Sequence, residues 1–75
     1  MKVDYRIKKR SLSIEGHRTS VTLEDPFWER FRKIASEKSE SLNSLASKID
    51  ATREPDVGLA SAIRVFCLLN ASFKD

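Results

Sequence analysis

A mainly α fold, one β-strand leading into three helices, is predicted by three features of this 75-residue chain. Arg18-Thr19-Ser20-Val21-Thr22-Leu23 alternates, with Thr19, Val21 and Leu23 on one side and Arg18, Ser20 and Thr22 on the other, the pattern of a half-buried strand. Asp25-Pro26 follows at once; an aspartate can accept hydrogen bonds from free helical N–H groups, and the fixed φ of proline suits the first helical position. Beyond that step, apolar residues recur every three or four positions in three separate stretches, the spacing of helices with one buried face.

The elements follow in order. Residues 1–11 are basic and weakly patterned, which predicts an N-terminal arm, with the folded domain over 12–75. Leu12 and Ile14 suggest a short strand that Gly16 interrupts. The principal strand is expected over 18–23. The first helix is expected over 26–38, where Phe27, Phe31, Ile34 and Ala35 form one apolar stripe that Trp28 widens. Ser39-Glu40-Ser41 breaks the pattern, and Ser41 caps a second helix over 42–52 that buries Leu42, Leu45, Ala46 and Ile49. A turn around Pro55 separates it from a third helix over 59–72, apolar on most sides, which must be covered by the other helices or by a second subunit.

A single core in a chain this short supplies only roughly 3–5 kcal/mol, so further support is expected. The lone Cys67 cannot form an internal disulfide or a cysteine-based zinc site, which leaves oligomerisation. No run of about 18 apolar residues and no apolar leader occurs, so a soluble, cytoplasmic protein without membrane association is expected. Residues 1–20 carry six basic and two acidic side chains, whereas 21–75 carry eight and nine. The positive field thus lies at the N-terminal end, where it suits either a polyanionic partner or a solvated tail.

A single amphipathic strand leaves a row of unsatisfied backbone groups and needs a partner. Leu12–Ile14 is one candidate, with Glu15-Gly16-His17 as the connection. The same strand of a second copy is the other, and is favoured here because the connection is so short; it would form an isologous antiparallel ribbon with Thr19, Val21 and Leu23 at the dimer interface. The outward face would then show Arg18, Ser20 and Thr22 from each copy. A two-stranded ribbon fits the major groove, where Arg pairs with guanine and Ser or Thr with several base edges. A polar solvent-facing side is equally what most half-buried strands show.

The order of elements is more specific. A basic segment Lys9-Arg10-Ser11-Leu12-Ser13-Ile14, the strand Gly16-His17-Arg18-Thr19-Ser20-Val21-Thr22-Leu23-Glu24-Asp25, then Ser41-Leu42, Ile49-Asp50 and Ser61-Ala62-Ile63-Arg64-Val65-Phe66 resemble the ribbon-helix-helix repressors of the Arc, MetJ and CopG type, in particular a stand-alone bacterial subfamily. The resemblance implies a mainly α ribbon-helix-helix fold in a homodimer, with the strand pairing antiparallel to its copy and a third C-terminal helix added. It also implies a transcriptional regulator that binds double-stranded DNA. Base reading then falls on Arg18, Ser20 and Thr22, and phosphate contacts on Ser41, Leu42 and Asn43 at the second helix start, where free N–H groups and a partial positive charge favour anions. Lys8, Lys9 and Arg10 are expected to add phosphate contacts from the arm. Two features depart from the pattern: Ser39 stands where the inter-helix turn usually has glycine, and the third helix is absent from minimal members. That helix extends the dimer core or docks another protein, so an antitoxin-like or adaptor module built on the same dimer is the competing expectation.

Other candidates carry less. His17 at the strand entrance is placed to touch a phosphate, yet simple exposure explains it equally. Glu24 and Asp25 are accounted for by the helix start. Cys67 in an apolar helix is expected to be an inert small hydrophobe, and Trp28 and the four phenylalanines are expected in the core. No phosphate-binding glycine loop, metal-ligand set or nucleophile with its base is discernible. No enzyme and no cofactor is expected.

Overall fold

The computed structural model describes residues 2–71. Two strands, β1 (Ile7–Ile14) and β2 (His17–Glu24), are followed by α1 (Asp25–Glu37), α2 (Leu42–Thr52) and α3 (Leu59–Leu69). β1 and β2 form a two-stranded antiparallel sheet, in register from Ile14 opposite His17 to Ile7 opposite Glu24. The connection is two residues long, and Glu15 (φ 49°) and Gly16 (φ 80°) both lie at positive φ, as a type I′ turn requires. Such a turn matches the right-handed twist of the strands it joins. Gly16 adopts its angle without strain, whereas Glu15 does so at a cost.

This hairpin corrects the source of the second strand. The principal strand was expected to pair with its copy in another subunit, but its partner is β1 of the same chain. A two-residue turn suffices because Glu15 and Gly16 both take the left-handed backbone that a type I′ turn needs. Residues 7–11, expected in a mobile arm, belong to β1. Alternation there is disguised by Arg10, which shares the helix-facing side with Leu12 and Ile14. Its guanidinium donates to the Leu23 carbonyl at 3.3 Å and to the Asp25 carboxylate, and lies 5.4 Å from the centre of the Trp28 ring. A cation was therefore placed where the period-two pattern asks for an apolar side chain.

Leu12, Ile14, Val21 and Leu23 point from the sheet onto Phe31, Ile34, Leu45, Ala46, Ile49, Ile63 and Cys67, forming one continuous core. Val21 and Leu23, expected at a subunit interface, are buried inside their own chain at 3% and 0% exposure, and Thr19 is half-buried beside them. The helix ends follow capping chemistry. α1 starts one residue earlier than expected, with Glu24 rather than Asp25 at the cap position and no side-chain cap bond. Asp25 instead turns its carboxylate toward β1, accepting from Lys8 Nζ at 2.8 Å and from Arg10. At the other end, Ser39 takes φ 55°; its N–H donates to the Ser36 carbonyl at 3.0 Å and that of Glu40 to Ala35 at 2.9 Å. Those two bonds constitute a Schellman motif with serine at the position that favours glycine. Ser41 caps α2 as expected, its Oγ accepting from the Ser44 N–H at 3.0 Å.

α2 has the expected bounds. α3 begins at the expected Leu59 and runs to Leu69; the expected end at Ser72 lies outside the described residues. One side of α3 is buried through Ile63 and Cys67, with Phe66 edge-on to Phe31 at 6.4 Å. Burial pushes the Cys67 thiol up to about 11, so it is a poor nucleophile near neutral pH. Arg64 ties α3 to the sheet, donating to the Thr22 carbonyl at 3.0 Å and to Glu24 at 3.1 Å. The opposite side of α3 remains open: Val65, Leu68 and Leu69 are 55%, 62% and 77% exposed. No helix among the described residues is long and apolar enough to cross a membrane.

Candidate nucleic-acid interface

The register divides the hairpin into two faces. Cross-strand pairs Lys9 with Thr22, Ser11 with Ser20 and Ser13 with Arg18 occupy the face turned away from the helices, since successive side chains point to opposite sides. All six side chains are exposed. The positions expected to read bases, Arg18, Ser20 and Thr22, therefore lie in one row, and β1 sets Ser13, Ser11 and Lys9 beside them. Neither Lys9 nor Arg18 is held in an ion pair among the described residues.

Ser11 and Ser13 were missed by the sequence reading, although a signal existed: Lys9, Ser11 and Ser13 alternate with Leu12 and Ile14. Gly16 ends that alternation because it belongs to the turn, within the connection that Glu15-Gly16-His17 offered. Lys8, Lys9 and Arg10, expected together as arm cations, are separated by the same alternation. Only Lys9 lies on the outward face. Lys8 and Arg10 are committed to Asp25, and Lys8 also reaches Asp4 at 3.2 Å. These bonds hold the Asp25 carboxyl below its usual range, Lys8 contributing most and Arg10 next, and they raise the Lys8 ammonium above its own.

The start of α2 abuts the edge of β1. The Ser13 backbone N–H donates to Asn43 Oδ1 at 2.9 Å, which satisfies an edge group of the sheet and fixes the helix terminus beside the ribbon. Ser11, Ser13, Arg18 and Asn43 line one shallow cleft there. Ser41 is occupied as the cap, while Leu42 and Asn43 are the first two residues of the helix, whose N–H groups precede any intrahelical acceptor. Glu40 stands just before this terminus, but Lys48 holds its carboxylate at 2.8 Å, and that contact keeps its pKa low. The negative charge next to the helix start is thereby offset. His17 is exposed at the turn end of the hairpin.

This arrangement can present two cations and four hydroxyls along the ribbon, with the positive end of a helix at its margin. It has the shape and donor set for a duplex groove. Among the described residues no group of three or more histidine, cysteine or acidic side chains is positioned to hold a metal.

Comparisons with known proteins bear on the same residues. Neither the curated proteins nor the solved structures yield a match to this chain. A family model described as ribbon-helix-helix domain matches residues 7–71, from the first residue of β1 to just past α3, so hairpin, helix pair and third helix all lie within it and the chain belongs to the ribbon-helix-helix domain family.

Proposed function

We propose that this protein is a DNA-binding transcriptional regulator that acts as a homodimer, each copy laying its β1–β2 ribbon in the major groove. Membership of a family whose domains are typically DNA-binding regulators or antitoxins supports the class. The single observation that carries the reading is the outward face of the hairpin: six exposed polar or basic side chains in register, none used to build the fold. A face selected only for solubility has no need of two hydroxyl-bearing strands flanked by cations that form no ion pair among the described residues.

The roles divide by chemistry. Arg18 reaches guanine O6 and N7, and Ser20 and Thr22 reach adjoining base edges. Ser11 and Ser13 extend the same row from β1. Lys9 and the N-terminus of α2, through the Leu42 and Asn43 N–H groups beside capped Ser41, contact phosphates and set the register of the protein on the duplex. Lys8 and Arg10, bound to Asp25, support the ribbon from behind.

Binding of the full chain to a selected duplex, followed by fluorescence anisotropy across a salt series, tests these roles. Arg18→Ala is expected to cost about 1–3 kcal/mol at the base it reads and to relax discrimination at that position. Lys9→Ala is expected to weaken all duplexes alike and to lower the salt slope by about one unit. If neither substitution changes affinity or slope, groove reading by this face is wrong.

A further inference from the structure

The outward row of β1 continues past Lys9. Ile7, two residues away, alternates in step with Lys9, Ser11 and Ser13, so its side chain leaves the sheet on the side turned from the helices. It is 58% exposed, and it belongs neither to the buried core nor to the apolar residues packed against that core. Of the large apolar side chains exposed among the described residues, Ile7 alone lies in a strand. An aliphatic group without work in the core thus ends a row otherwise made of hydroxyls and cations.

We propose that Ile7 is a specificity-determining residue that reads the C5 methyl group of thymine in the major groove. The assignment rests on the outward ribbon being the groove-facing surface, and it names a base for a position that the hydrogen-bonding residues do not reach. An isoleucine side chain has neither donor nor acceptor, so it gains nothing from a phosphate or from the polar edge of a base. Thymine is the one base of the four that presents an apolar group in the major groove. Against guanine, adenine or cytosine, the same side chain would strip water from polar edge atoms and offer them no partner. The contact therefore favours thymine and penalises its competitors. Being β-branched, Ile7 also has few side-chain rotamers to lose when it is covered.

The surroundings of Ile7 suit this role. Lys9, the adjacent cation of the row, holds this end of β1 to the phosphates in the proposed complex. Directly across the ribbon stands Glu24, whose carboxylate would repel the duplex, but Arg64 of α3 neutralises it, with Nε and Nη2 at 3.1 Å and 3.0 Å from Oε1. On the other side of the strand, Lys8 is tied to Asp25 at 2.8 Å and to Asp4 at 3.2 Å, which pins the end of β1 beside Ile7. Ser13, opposite Arg18, is six residues away along β1, about 20 Å at the ordinary strand rise. The thymine read by Ile7 consequently lies toward the end of the site remote from the guanine read by Arg18.

Deoxyuridine lacks the C5 methyl of thymidine and keeps all of its hydrogen-bonding groups, which makes it the direct probe. A duplex selected from a random pool by the full chain is rebuilt with one thymidine at a time replaced by deoxyuridine, and affinities are measured for the wild type, Ile7→Ala and Ile7→Val. The wild type is expected to lose about fourfold in affinity at a thymine remote from the Arg18 contact, the worth of one buried methyl-sized group. Ile7→Ala should bind the thymine and uracil forms of that position alike, and Ile7→Val should keep most of the wild-type difference. Circular dichroism checks that both variants retain the fold, and the scan of the wild type depends on no variant. If no exchange weakens the wild type, methyl reading by Ile7 is wrong. It is equally wrong if Ile7→Ala stays as sensitive as the wild type, a result that would assign the contact to the methyl group of Thr22. Both results leave groove reading by Arg18 intact, whereas a chain that enriches no duplex at all overturns the two together.

Discussion

Ser39 shows how a single backbone angle becomes a testable quantity. At φ 55° it closes the Schellman turn between α1 and α2, a conformation that costs an L-residue about 1 kcal/mol and glycine little. Ser39→Gly is thus expected to stabilise the protein by up to about 1 kcal/mol in thermal or urea unfolding, without altering the turn. That mismatch was readable in advance, because the position demanded by the turn and the residue present could both be named. Asp25 was less readable. Next to proline it had the appearance of a cap, but its carboxylate is claimed by Lys8 and Arg10, partners 17 and 15 residues away along the chain.

The same carboxylate sets a pH dependence. Its pKa in the folded chain is lowered by Lys8 first and Arg10 second, so its contribution to stability is present above the unfolded-state value and is lost as pH falls below about 4. Thermal unfolding followed between neutral pH and about pH 3 should show the wild type losing melting temperature over this acid range. Asp25→Asn should begin lower at neutral pH and fall less. Parallel curves for the two proteins would mean that the Asp25 cluster does not couple to folding.

Among the elements, the helices were the legible part. Their apolar spacing placed α2 at its observed bounds and α1 within a residue at each end, because each helix buries a continuous stripe of its own residues. The hairpin was legible only in half. β2 alternates cleanly, but β1 hides its alternation behind Arg10, whose burial depends on Trp28 and Asp25 from another element. Pairing partners are a tertiary property, and a turn with glutamate at its first position lacks the usual asparagine or aspartate signal. Gly16→Ala probes this element: at φ +80° and with open space beside its Cα, the added methyl meets backbone strain rather than a clash. The expected loss is about 1 kcal/mol of stability. A larger loss, accompanied by altered exchange at β1 amides, would show that the turn organises more than its own two residues.

At the scale of the whole molecule, the hairpin changes what one chain can do. An intermolecular ribbon would have made DNA reading and dimerisation the same event, since neither face could exist without the other subunit. Here each chain completes its own ribbon, and the residues that face outward are fixed by a core containing Leu12, Ile14, Val21 and Leu23. The candidate site was accordingly legible along β2, where Arg18, Ser20 and Thr22 alternate with buried neighbours, and illegible along β1, where Ser11 and Ser13 gain meaning only from the register opposite Ser20 and Arg18.

Selection of bound duplexes from a random pool, performed in parallel with the wild type and with Arg18→Ala/Thr22→Ala, bears most directly on whether the outward ribbon reads DNA. The wild type should enrich an inverted repeat, and the double variant should lose that enrichment while retaining weak, salt-sensitive binding through Lys9 and the α2 terminus. Enrichment of the same sequence by both proteins would contradict a reading role for this face.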